Sequence, residues 1–205
     1  LSSASWRISR EGAVARFALA TADARQTLSP DILEELARGV ARAASERAAV
    51  AVVESAHPGV FAAGADLRVI GGLSPVEGYA YARRGQDALV ALSKSPCAVV
   101  AEIDGACYGG ALDLAMACGV RIATARATFC HPGPRLGIVT GWGGTLFVRR
   151  LAGVGRARRI FRSGEIFSAE KARGLGLVDE VVPAGSWFER TREIEMALSQ
   201  ASCLP

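Results

Sequence analysis

Residues 103–144 read IDGACYGGALDLAMACGVRIATARATFCHPGPRLGIVTGWGG. The apolar run CAVVAEI at 97–103, which leads into this stretch, has the character of a buried strand, and IDGACYGG turns the chain back toward a helix over about 111–118. Residues 119–123 supply another short strand, and 127–130 a brief one ahead of the proline- and glycine-rich loop HPGPRLG. Strands alternating with helices in this way predict an α/β architecture.

Toward the N-terminus, GAVARFALA at 12–20 reads as an early strand, followed by the polar turn TADARQT. Ser29 offers an N-cap, Pro30 suits the first helical position, and Asp31 brings negative charge to the first turn. Ile32, Leu33, Leu36 and Val40 recur at helical spacing, which predicts a helix ending near Arg47 and then an apolar strand over 48–53. Residues 57–64 are expected as loop, and a second helix runs from Pro75 to about Leu92.

Toward the C-terminus, helices are expected over about 144–151 and around 157–160. SAEKARGLG has the form of a short helix with a glycine stop, delivering a last strand at 177–182. Residues 187–200 can form a helix with Phe188, Ile194, Met196, Ala197 and Leu198 on or near one face. The expected organisation is layered sheets and helices in one domain, with a core over 1–183 and a short C-terminal helical segment over 184–205.

The 205 residues, half of them apolar, suffice for one substantial core and are few for two. Abundant alanine and glycine fit close approach of backbone segments and equally fit a compositional bias. The formal charge of +4 is dispersed except at Arg156, Arg158, Arg159 and Arg162. Without an aromatic stripe, that group suits a solvated helix face or a single nucleotide head better than a nucleic-acid partner. Cys97, Cys107, Cys118, Cys130 and Cys203 are odd in number and lack C-x-x-C spacing, so buried reduced thiols in a cytoplasmic protein are expected. No spaced His/Cys/Asp set points to a metal, and neither a P-loop nor a nucleophile elbow occurs. The opening residues do not read as a basic, apolar and small-residue leader, one removed by processing being compatible with this, and no charge-free run reaches the roughly 20 residues that span a bilayer.

Two stretches of small residues, AAGAD at 62–66 and YGGALD at 108–113, leave backbone N–H groups open to close approach, although such turns often serve only tight geometry. Together with LGIVTGWGG, and in this order, they resemble the crotonase superfamily of enoyl-CoA hydratases and isomerases over roughly 18–183. The resemblance implies a crotonase-like fold and an acyl- or enoyl-CoA substrate. It also implies an oxyanion hole made by the N–H groups of Ala65 and Gly110, at a helix N-terminus in the second case. Ala63, Asp66, Gly109, Gly133 and Trp142 are the expected substrate-binding neighbours, with Asp66 alternatively capping the helix at Leu67. Coenzyme A enters as part of the substrate, no tightly bound cofactor is expected, and the assembly is a homotrimer or a dimer of trimers. Family chains usually continue with helices that complete the acyl pocket. The expectation is that either residues 187–204 play that role in reduced form or the segment has been lost.

Two positions depart from the family pattern. Where hydratases carry two glutamates, this chain has Asp113 and Gly133. Asp113 keeps a carboxylate that reaches roughly 1 Å less far, enough to impair proton transfer; Gly133 has no side chain at all. Asp113 can act alone through water, His131 can reach into the place vacated at Gly133, or it is a structural loop histidine. GPRLG at 133–137 also resembles a segment of naphthoate synthases that use bound bicarbonate as base. The expected activity is hydratase-like, with Asp113 moving protons. The rivals are a weak or inactive acyl-CoA-binding protein and a divergent enzyme for carrier-protein thioesters. His57, Asp104 and Asp179 have structural explanations, whereas Phe61, Tyr81 and Leu112 belong either to an acyl tunnel or to the core.

Overall fold

The computed structural model describes residues 5–201. Among these, one sheet runs in the order β1 (Trp6–Glu11), β2 (Val14–Leu19), β4 (Val50–Ser55), β7 (Ala98–Ile103), β9 (Val120–Thr124), β12 (Glu180–Val182). Only the β1/β2 pair is antiparallel. A second sheet has the order β11 (Phe167–Ser168), β10 (Thr128–Cys130), β8 (Ala106–Tyr108), β5 (Val60–Ala62), and β3 (Thr27–Leu28) pairs with β6 (Gly64–Ala65). The helices are α1 (Pro30–Ser45), α2 (Leu67–Gly71), α3 (Pro75–Ser93), α4 (Gly110–Ala117), α5 (Gly144–Ala152), α6 (Val154–Ser163), α7 (Ala169–Gly174) and α8 (Trp187–Ala201). Layered sheets and helices are therefore the architecture, as the sequence predicts.

Burial on both faces explains why β4 and β7 are apolar without alternation. Val50, Val52, Val100, Ile122 and Val182 form one face, covered by Trp187, Ile194 and Leu198 of α8. The opposite face joins the main core with Leu33, Leu36 and Val40 of α1 and Leu89 and Leu92 of α3. Ser29 caps α1 by accepting from the Ile32 N–H, and α3 starts in a capping box of Ser74 and Glu77.

Several expectations need correction. The early strand expected over 12–20 is β2, and β1 before it, joined by a reversal around Gly12 at φ +56°, went unpredicted. Residues 57–64 hold β5 and enter β6, and β8 and β11 also went unpredicted, each being three residues or fewer and defined by partners far away in sequence. α6 extends well beyond 157–160. On α8, Phe188 and Met196 are exposed while Thr191 and Glu195 are buried, the reverse of their polarity. Glu195 is drawn inward by Arg16 of β2. Cys97, Cys107, Cys118 and Cys130 are buried free thiols, as expected; Cys203 lies outside the described residues.

Candidate active site

The site begins where β8 enters α4. Gly109 takes φ +56° at the N-cap and offers no capping side chain, so the first N–H groups of α4 are not met by a side-chain acceptor. Gly64, at φ +84°, lies so close that a Cβ there would come within 2.6 Å of the Tyr108 carbonyl oxygen and 2.7 Å of the Gly110 nitrogen. Glycine at 64 thus lets β6 pass against the start of α4, which brings Ala65 to the same cavity as Gly110. Two small-residue stretches separated by some 45 positions in sequence converge on one wall for this steric reason.

That cavity has a volume of about 870 Å³ and is lined by Ala63, Ala65, Asp66, Gly109, Gly110, Asp113, His131, Gly133 and Trp142. All the site residues anticipated from sequence therefore meet at one place. Tyr81 lines it too, whereas Phe61 and Leu112 are buried in the core. Trp142 is a wedge between α3 and α4, since a Cβ on Gly85 or on Gly110 would overlap its indole. Tyr81 packs on it with ring centroids 5.6 Å apart, and burial pushes the Tyr81 phenol up to about 12.

Asp113 is 1% exposed, in the first turn of α4, which is buried from Ala111 to Ala117. The Thr140 hydroxyl donates to Asp113 Oδ2. Asp113 Oδ1 lies 3.5 Å from His131 Nε2, and neither atom has a hydrogen-bond partner among the described residues. Gly144 is required here, because a Cβ would overlap Oδ1. The His131 ring stands edge-on to Phe161 of α6, centroids 5.0 Å apart. The place that a side chain on Gly133 would enter is not vacant: its Cβ would sit 2.5 Å from the Ile138 carbonyl oxygen. His131 also borders that place, its Nδ1 lying 3.4 Å from the same Cβ position, while its Nε2 faces Asp113.

At the mouth, Asp66 accepts from the Arg68 N–H and pairs with its guanidinium at 2.6 Å, which holds the carboxyl down at about 2. Asp66 thus caps α2 as well as lining the cavity. Arg25, Arg68 and Thr140 also line it and carried no signal in the sequence, being single polar residues in turns. Asp104 pairs with Arg126 and Asp179 with Arg121, which makes both structural. Burial, and secondarily Asp113, pushes the Cys107 thiol up. Among the described residues no group of three or more His, Cys, Asp or Glu could hold a metal ion, and no helix is long and apolar enough to cross a membrane.

Solved structures share this fold. An enoyl-CoA hydratase from Bacillus anthracis superposes with a TM-score of 0.88 at 29% identity, covering 95% of this chain and 76% of that one. Pseudomonas aeruginosa DspI gives 0.89 at 27%, covering 96% and 80%. An enoyl-CoA hydratase from Thermoplasma volcanium GSS1 gives 0.86 at 28%, covering 98% and 82%. The model of the enoyl-CoA hydratase/isomerase family matches residues 9–204, and the chain belongs to that family.

Proposed function

We propose that the protein binds an acyl- or enoyl-CoA thioester with its carbonyl oxygen between the N–H groups of Ala65 and Gly110, and that Asp113 moves protons at the carbons beside it. The observation that carries this is the convergence of Ala65, Gly110 and Asp113 on one cavity. Negative charge developing on the thioester oxygen would meet fixed donors at the start of α4, where the helix dipole also favours it. The family acts on acyl-CoA substrates without a tightly bound cofactor, which supports coenzyme A as part of the substrate.

Hydration is the preferred reaction. Water adds its oxygen to the β-carbon as Asp113 takes its proton, and the α-carbon of the resulting enolate is protonated in turn. Thr140 fixes the carboxylate by one oxygen, leaving Oδ1 for the proton. His131, 3.5 Å from Oδ1, is the group that would pass protons to and from it. With glycine at 133 the second carboxylate is missing, and that observation favours one other reading: thioester binding with little or no turnover.

The test is hydration of a small enoyl-CoA series, followed by product mass, for wild type and Asp113→Asn, with and without bicarbonate. The expected result is a mass gain of one water by wild type, lowered about 10²-fold or more in Asp113→Asn and indifferent to bicarbonate. Binding without turnover by wild type on every substrate would establish the second reading instead.

A further inference from the structure

α6 packs on the site above with one residue and lines a second cavity with others. Phe161 meets His131 of the site above, while Arg156, Arg159, Ile160 and Ser163, spaced i, i+3, i+4, i+7, line a second cavity of about 470 Å³. Its other walls are Phe167 of β11 and Lys171 and Leu175 from α7 and just after it, with Glu165 also present. Cations elsewhere are mostly neutralised, as in the pairs Arg84–Glu34, Arg126–Asp104 and Arg190–Glu180. Arg156, Arg159 and Lys171 form no ion pair among the described residues, and neither do Arg158 and Arg162 on the same helix. Three unpaired cations around one concavity, one carboxylate beside them, leave a net positive pocket that a bound anion would neutralise.

We infer that this cleft is a binding site for a phosphate ester of nucleotide size, separate from the thioester cavity and independent of the function proposed for it. The phosphates lie among Arg156, Arg159 and Lys171, where two guanidinium groups and an ammonium provide charge-assisted donors. Ile160, Phe167 and Leu175 form an apolar floor for a base or similar flat group, and Glu165 accepts from a ligand hydroxyl. Concavity favours a small molecule over a duplex, which needs an extended array of cations.

The experiment is calorimetric titration with ADP, with adenosine and inorganic pyrophosphate alongside. Saturable ADP binding is expected, tighter than that of adenosine and weakened by 0.5 M salt. The double variant Arg156→Ala/Arg159→Ala should lower affinity about tenfold or more and Lys171→Ala several-fold, each pair being worth a charge-assisted hydrogen bond or two. Arg158→Ala, which removes the same charge from the same helix outside the cleft, should stay within about twofold of wild type. These are surface positions, and unchanged melting temperatures verify the fold. Equal losses in Arg158→Ala would reduce the effect to diffuse charge. Loss in Arg25→Ala/Arg68→Ala but not in the cleft variants would place ADP at the mouth of the larger cavity. Either result, or no saturable binding, overturns the inference.

Discussion

A buried carboxylate is costly unless its lone pairs are used, and Asp113 has the Thr140 hydroxyl on one oxygen and His131 near the other. The neighbouring glycines are part of the same arrangement: Gly144 makes room for Oδ1, and Gly133 makes room for the loop that folds back through Ile138. A glutamate at 133 should therefore not be accommodated. Gly133→Glu forces a Cβ to within 2.5 Å of the Ile138 carbonyl oxygen, and overpacking of this kind costs about 1–3 kcal/mol. A melting temperature lowered by several degrees, with no gain in hydration, is expected from a thermal scan and the product-mass assay. Asp113 and Gly133 were both legible in the sequence as residues of one candidate site, and both line the cavity. Thr140 was not, because a lone threonine in a glycine-rich loop has no periodicity to reveal what it faces.

At the scale of elements, the long helices and the apolar strands were legible because caps and spacing specify them locally. Ser29, Pro30 and Asp31 start α1 as anticipated, and α3 begins at Pro75 behind Ser74. Ser74→Ala removes the hydroxyl half of the capping box, the acceptor for the Glu77 N–H, and should destabilise the protein by about 1 kcal/mol, measured as a shift in urea midpoint with unchanged slope. The short strands were not legible, since β5, β6, β8 and β11 are set by long-range pairing rather than by their own two or three residues. The apolar face of α8 was misjudged for a related reason: Glu195 is buried because of a partner 179 positions away.

Across the whole molecule, that partner belongs to a cluster joining four elements. Arg16 of β2 pairs with Glu54 of β4, Glu102 of β7 and Glu195 of α8, so three carboxylates share one guanidinium with little water. Burial, reinforced by Glu195 and opposed by Arg16, pushes the Glu102 carboxyl up to about 8. With the folded value above the ordinary one of 4.5, its contribution is fully present below that ordinary value and is lost as pH rises toward 8. Asp23, Glu34, Asp104 and Glu180 are held low, chiefly by arginine hydrogen bonds, and lose their contributions as pH falls into the acid range. Stability should therefore peak in mildly acid solution, and Glu102→Gln should flatten its decline between pH 5 and 8 in denaturant titrations. A decline as steep in the variant as in wild type would assign it to other groups.

Enolate formation can be read without choosing a reaction. A saturated acyl-CoA bound in deuterated water should exchange its α-hydrogens in the presence of wild type, because Ala65 and Gly110 stabilise the enolate while Asp113 moves the proton. Asp113→Asn should bind the same thioester with unchanged affinity and exchange at least about 10²-fold more slowly. Tight binding with no exchange by wild type, or equal exchange by the variant, would contradict the role given to Asp113.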